Sequence, residues 1–186
     1  MTTSLRERKK EQSRAAIVAA AVNLFKSKGY SNTTLNDIAE EANISQRTIF
    51  SYFPSKEAII FESEQKVTDS LFKHLENRGS LSVLESLKTF TVPKHLSAET
   101  KRKRALIKSN PELQNYAAKS LADIEQKFCE LVAEDENLPK DSVQVVLIAA
   151  VFRTMIDYVL SHPNDERAGE VALKFIESGI KSSRQP

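Results

Sequence analysis

Only ten of the 186 residues are Gly or Pro, four and six respectively, and this shortage of backbone punctuation is the tightest constraint on the fold. A sandwich or barrel needs a turn about every 8–12 residues, and Gly and Pro carry most such turns. With so few breaks, the chain is expected to be all-α. Apolar residues make up 40% and charged residues 28%, an ordinary globular composition. No apolar run approaches the ~18 residues of a membrane span, so no membrane partner is expected. The charged N-terminus lacks an apolar h-region, which argues against a signal peptide. A single cysteine, Cys129, excludes an intrachain disulfide. It fits a reducing cytosol and a cytoplasmic location.

Helical periodicity divides the chain into about nine helices. Ile17, Ala21, Leu24 and Phe25 recur at helical spacing in a first helix from about Arg6 to Lys28, which Gly29 stops. Thr34 caps a second, with Asp37 three residues on in the place of a capping box. Ser45 caps a third that ends at Phe53-Pro54, and Ser55 caps a fourth that reads without interruption to about 78. Five more follow near 80–91, 98–109, 111–135, 140–162 and 165–182. Charge is unevenly spread: residues 1–56 carry +4 and the remainder −2. A basic front and a mildly acidic back suit a module for a polyanion joined to one with another task.

The stretch "SQRTIFSYFPSKEA", Ser45 to Ala58, combines aromatics, exposed-looking polar residues and an abrupt stop. Two short helices joined by three or four residues, the second opening at a Ser cap, form a helix-turn-helix pattern. Asn43 tolerates the left-handed conformation such a turn needs. A helix of about eight residues is marginal alone and must be held by packing. Ile49 and Phe53, four apart, are expected to face inward against Leu24, Phe25, Leu35 and Ile38. Gln46, Arg47, Thr48, Phe50 and Ser51 then project from the opposite face. That end of the second helix reaches base edges in helix-turn-helix proteins. Gln suits adenine, Arg suits guanine, and Thr or Phe can touch a thymine methyl. Pro54 stops the helix, so that the next helix N-terminus and Lys56 are placed for a phosphate.

The segment "TTLNDIAEEANISQRTIFSYFPSKEAII", with the preceding "AVNLFKSKGY", resembles the DNA-binding signature of TetR-family transcriptional regulators over about residues 10–62. Two positions depart from that pattern. Asn43-Ile44 stands for the usual Gly-Val, and Phe50 for a frequent Tyr whose hydroxyl meets phosphate. The resemblance therefore moves the phosphate contacts onto Thr34, Ser45, Tyr52 and Lys56. The basic "RERKKEQSR" resembles arms that strengthen DNA binding. "RKRALIKSNPELQ" is similar to a segment of mycofactocin-regulator-type proteins, for which a fatty-acyl thioester is an expected effector.

The resemblance implies a three-helix DNA-binding domain over 1–54 and an effector-binding and dimerisation domain over 55–186, with 55–78 as the linking helix. It also implies that the last two long helices form a homodimer's four-helix bundle. The expected interface residues are Val151, Met155, Ala168, Val171, Ala172, Phe175, Ile176 and Gly179. A ligand pocket between helices must be mostly apolar. Its candidates are Phe90, Tyr116, Leu121, Phe128, Phe152, Met155 and Tyr158, all of which core packing would also explain. The run Lys101-Arg102-Lys103-Arg104 reads either as a solvated face or as the rim for an anionic ligand head. Arg153 and Asp157, at i and i+4, could pair. His74, His95 and His162 lack metal-ligand spacing, and Cys129 reads as a buried hydrophobe. With no phosphate loop, dinucleotide motif or nucleophile context, neither a cofactor nor catalysis is expected. The expected function is a ligand-released homodimeric repressor on a palindromic duplex operator, with a small-molecule effector of the fatty-acyl coenzyme A kind. A helical enzyme or carrier with an appended helix-turn-helix is the alternative, and it would need a catalytic constellation within residues 80–186.

Overall fold

The computed structural model describes residues 4–90, 100–162, 165 and 167–183, with the side chains at 100–102, 104, 160, 161, 168 and 179–183 outside that description. The readings placed on Lys101, Arg102, Arg104, His95, Ala168 and Gly179 therefore lie outside the described side chains. Every regular element among the described residues is an α-helix: α1 (Leu5–Ser27), α2 (Leu35–Glu41), α3 (Gln46–Tyr52), α4 (Lys56–Ile60), α5 (Glu62–Glu76), α6 (Val83–Thr89), α7 (Thr100–Lys108), α8 (Pro111–Glu136), α9 (Val143–Ser161) and α10 (Ala168–Ser183). None of them is long and apolar enough to cross a membrane.

The helix boundaries follow from short polar signals. Ser4 and Glu7 form a capping box at the start of α1, Thr34 and Asp37 one at α2, and Ser82 and Glu85 one at α6. Ser45, Ser55 and Ser142 accept a hydrogen bond from the third residue of α3, α4 and α9. Each of these oxygens satisfies a backbone N–H that has no partner inside its helix. Gly29, at φ +82°, takes the left-handed conformation after α1, and Asn137, at φ +53°, does so after α8.

The expected fourth helix is two helices, α4 and α5. The chain leaves helical geometry at Phe61, where φ is −90° and ψ is 10°. The hydrogen bond from Phe61 N to Glu57 O survives at 2.9 Å, so the break is a one-residue bend. Ile59, Ile60 and Phe61 are three successive residues of modest helix propensity. With no Gly or Pro to mark the bend, the periodicity reads straight through it.

The chain divides into two compact units, residues 1–63 and 64–186. In the first, α1 packs on α2 and α4, and α2 packs on α3. Ile17, Ala21, Leu24, Phe25, Tyr30, Ile38, Ile49, Phe53 and Ile59 are buried there, each large one worth about 1.5–3 kcal/mol of apolar transfer. In the second, α8 and α9 form the main pair, with α10 on α9 and α6 against both α8 and α10. Its core joins Leu71, Phe72 and Leu75 of α5 to Ile124, Phe128, Val145, Ile148, Phe152 and Ile176. Ion pairs link several of these helices: Lys103 to Glu64, Lys88 to Glu177, and Arg78 to Asp135 at 3.6 Å.

Candidate nucleic-acid interface

The helix-turn-helix is built from α2, a four-residue turn over 42–45 and α3. At its entry, Asp37 Oδ2 accepts from Thr34 N and from Thr34 Oγ1, both at 2.7 Å. The Lys28 ammonium lies 3.2 Å from the other carboxylate oxygen. The hydrogen bonds from the Thr34 backbone and hydroxyl, then the one from Lys28, lower the Asp37 pKa to about 2. At the turn Asn43 has φ +53°. Ile44 N donates to Ala39 O at 3.0 Å and Asn43 N to Glu40 O at 3.0 Å. These two bonds make a Schellman ending with Asn in the place glycine usually takes.

Ser45 opens α3. Its Oγ accepts from Thr48 N at 3.1 Å and lies 2.7 Å from Thr48 Oγ1. Ile49 and Phe53 are fully buried in the first unit, as the four-residue spacing predicts. The opposite face displays Gln46, Arg47 and Ser51 in exposed positions, with Thr48 half-buried. Phe50 is 54% exposed, although its neighbour Ile49 is wholly enclosed. A large aromatic presented to solvent beside amide, guanidinium and hydroxyl groups offers the chemistry that base edges and thymine methyls take. The five residues expected to meet bases thus share one short helix, and four of them are exposed.

The residues expected at phosphate are placed unevenly. Thr34 and Ser45 are exposed at the N-termini of α2 and α3, while Tyr52 is half-buried. Lys56 is half-buried too, and its ammonium donates to Tyr30 O at 3.1 Å and sits 4.4 Å above the Tyr30 ring. The Tyr30 hydroxyl in turn donates to Glu57. Burial alone would raise the Glu57 pKa, but hydrogen bonds from Ser55 and Tyr30 bring it below the ordinary carboxylate value. The basic residues Arg6, Arg8, Lys9 and Lys10 lie exposed on the first turns of α1.

Arg14, the last residue of the basic segment "RERKKEQSR" that resembles a DNA-binding arm, has a partner inside the first unit that the sequence reading did not foresee. Its Nε lies 2.7 Å from Glu62 Oε1, and its guanidinium sits 4.7 Å from the centre of the Phe53 ring. A signal for it exists: position 14 continues the Ile17–Ala21–Leu24 stripe of α1. A charge on an apolar stripe demands a partner.

In the second unit the seven residues considered for a pocket take core, half-buried and exposed positions. Phe128 and Phe152 are fully buried and stack at 3.6 Å between ring centres. Phe90, Leu121 and Met155 pack against the same core, and Tyr116 is half-buried. Tyr158 is exposed, stacks on His162 at 4.1 Å and donates to Asp165 at 3.1 Å. A half-open groove of about 400 Å³ lies between α5 and α8, lined by Gln65, Thr68, Phe72, Asp123, Lys127 and Glu130 among others. Arg153 pairs with Glu125 of α8 at 3.0 Å rather than with Asp157. An arginine placed N-terminal to its acid is the weaker order for an i, i+4 pair, so the cross-helix partner wins. Cys129 is half-buried, and burial followed by the nearby Glu125 and Glu130 carboxylates raises its thiol pKa. No group of His, Cys, Asp and Glu among the described residues could hold a metal ion.

Of the residues expected at a dimer interface, Val171 is 65% and Phe175 68% exposed on α10, whereas Ile176 is buried in the core. Ala172, Val151 and Met155 are half-buried. Val143, Val146 and Leu147 of α9 are also exposed, and the sequence reading did not single them out. They come from a segment apolar nearly all round, where periodicity cannot say which face is covered.

Residues 17–62 match the bacterial regulatory proteins of the tetR family, and residues 82–168 match the MftR C-terminal domain. A Mycobacterium tuberculosis protein bearing the name mycofactocin biosynthesis transcriptional regulator MftR is 29% identical over 121 residues, which is 61% of this chain and 60% of that one. The transcriptional regulator TcmR of Streptomyces glaucescens is 34% identical over 74 residues, 40% of this chain and 33% of TcmR. The chain spans from 21% to 60% of the length of such curated relatives. Among solved structures, NalD of Pseudomonas aeruginosa, the secondary repressor of the MexAB-OprM multidrug efflux pump, superposes with a TM-score of 0.52. It is 19% identical, with 92% of this chain and 96% of NalD covered, and it supports the fold. With the tetR match on the helix-turn-helix and the MftR match on the helices that follow, this chain belongs to the tetR family of bacterial regulatory proteins.

Proposed function

We propose that the chain acts in the cytoplasm as a homodimeric transcriptional repressor that binds a palindromic duplex operator and is released by a small-molecule effector. The observation that carries this reading is α3: a seven-residue helix anchored by buried Ile49, with Gln46, Arg47, Phe50 and Ser51 turned outward. Residues 1–54 serve as the reading head and residues 55–186 as the effector and dimer module. Gln46, Arg47, Thr48, Phe50 and Ser51 read base edges in the major groove. Thr34, Ser45, Tyr52 and Lys56 meet the phosphates. An ammonium has three donors and Tyr30 takes one of those on Lys56, so Lys56 can hold the head together and still reach a phosphate.

The exposed apolar residues of α9 and α10 support the dimer. Val143, Val146, Leu147, Val171 and Phe175 are costly to leave in water, and a second copy of the same surface would cover them by two-fold symmetry. Such a dimer sets two α3 helices about one DNA turn apart, roughly 34 Å. An effector that prefers a conformation with another spacing would weaken operator binding by its difference in affinity for the two states.

Selection from a randomised duplex library tests the reading directly. The wild-type chain is expected to recover an inverted repeat. Arg47→Ala is expected to weaken binding to it by ~1–3 kcal/mol and to relax preference at one base pair per half-site. A uniform loss across all sequences would remove Arg47 from base recognition, and recovery of no sequence at all would sink the repressor reading.

A further inference from the structure

The end of α3 and the first residue of α5 share one cation. Tyr52 is the last residue of α3 and Phe53 its C-cap, while Glu62 begins α5 immediately after the bend at Phe61. Arg14 of α1 touches all three. Its Nε donates to Glu62 Oε1 at 2.7 Å, its Nη1 makes a long contact of 3.5 Å with Tyr52 O, and its guanidinium lies over the Phe53 ring. Both charged side chains are largely enclosed, with 25% of Arg14 and 11% of Glu62 exposed. Taking two charges this far out of water is costly, and well-packed apolar residues of similar size often stabilise a fold as well or better. Stability alone is therefore a weak reason for a pair here, whereas fixed geometry is a good one. The planar guanidinium can lie flat on an aromatic ring while its edge meets a carboxylate, which a compact ammonium cannot do.

We propose that Arg14 is a positioning residue that holds α3 at its working angle for DNA by clamping the helix's C-terminal end to Glu62. This rests on the reading of α3 as the DNA-contacting helix. Only Ile49 and Phe53 anchor α3 to the core by full burial, and both lie on one side of it. Rotation about that hinge is resisted at the C-terminal end by the guanidinium on Phe53. Because Glu62 is also the first residue of α5, a displacement at the start of α5 reaches α3 through the same contact.

The test uses the full chain and the operator that the wild type selects. The double variant Arg14→Met with Glu62→Met replaces the ion pair with apolar groups of similar length. Its melting temperature is expected within a few degrees of wild type or above it, with operator affinity at least tenfold lower. Arg14→Lys keeps the charge beside Glu62 and is a second variant that should fold. It is expected to melt near wild type and to lose about tenfold in affinity, because the ammonium cannot serve Phe53 and Glu62 together. Amide exchange within α3 should quicken in both variants while exchange in α8 stays unchanged. Operator affinity within twofold of wild type in either folded variant overturns the positioning role. A wild-type chain that selects no sequence removes the DNA reading and this inference with it.

Discussion

Ile49 and Phe50 are adjacent on α3, and truncating each to alanine should have opposite consequences. Ile49 is 0% exposed and Phe50 is 54% exposed. Ile49→Ala removes three carbons from the packed core of the first unit. At ~0.8 kcal/mol per buried methylene the transfer loss is roughly 2–2.5 kcal/mol, and the residual cavity raises it to about 3–4. A 63-residue unit has a total stability of only about 3–9 kcal/mol at the usual value per residue. Most of the first unit's stability is therefore at stake at this one position. A seven-residue helix has almost no stability of its own, so α3 should be the first element to loosen. Phe50→Ala opens no cavity, and its effect on folding should stay within about 0.5 kcal/mol. Its effect on operator binding should be large, because the ring belongs to the contacting surface. Urea unfolding followed by circular dichroism, with amide exchange to resolve α3 from α8, measures the stability of both variants. Operator titration at fixed salt measures binding. If Phe50→Ala destabilises the head as much as Ile49→Ala does, the assignment of one face of α3 to the core and the other to DNA is wrong.

Asp37 has a folded-state pKa depressed from the ordinary carboxylate range to about 2, so its capping contribution is complete above pH ~4 and is lost as pH falls towards 2. Asp37→Asn should flatten that part of the acid-unfolding curve, and an unchanged curve would show that the capping-box carboxylate does not contribute. Phe175→Glu places a charge where the dimer reading puts an apolar seam. Because Phe175 is exposed on the single chain, the variant should keep its fold yet sediment as a monomer and bind the operator weakly. A wild-type chain that is monomeric at micromolar concentration would end the dimer proposal.

Where most helices begin, and which residues form the helix-turn-helix, was legible in the sequence because those signals are local, whereas the bend at Phe61, which no Gly or Pro marks, was not. Thr34 with Asp37, Ser45 with Thr48, and Asn43 in its left-handed turn each act over three or four residues, and the structure keeps every one. The inward pair Ile49 and Phe53 was equally readable, since helical spacing alone assigns them to one face. The scarcity of Gly and Pro sufficed for the all-α class. Partners far apart along the chain were decided by tertiary packing. Arg14 finds Glu62 48 residues away, Lys56 rests on Tyr30, and Arg153 chooses Glu125 on the neighbouring helix over the acid four residues along its own. Phe128 and Phe152 stack against each other at the centre of the second unit, a contact that helical spacing could not distinguish from a pocket wall. Val143, Val146 and Leu147 are exposed while Val145, Ile148 and Ala149 beside them are buried, within a run where nearly every face is apolar. Periodicity needs contrast between faces to assign them. Where the sequence offers none, the covered face is settled by which helices pack against it, as it is for charged side chains whose partners are brought near only by folding.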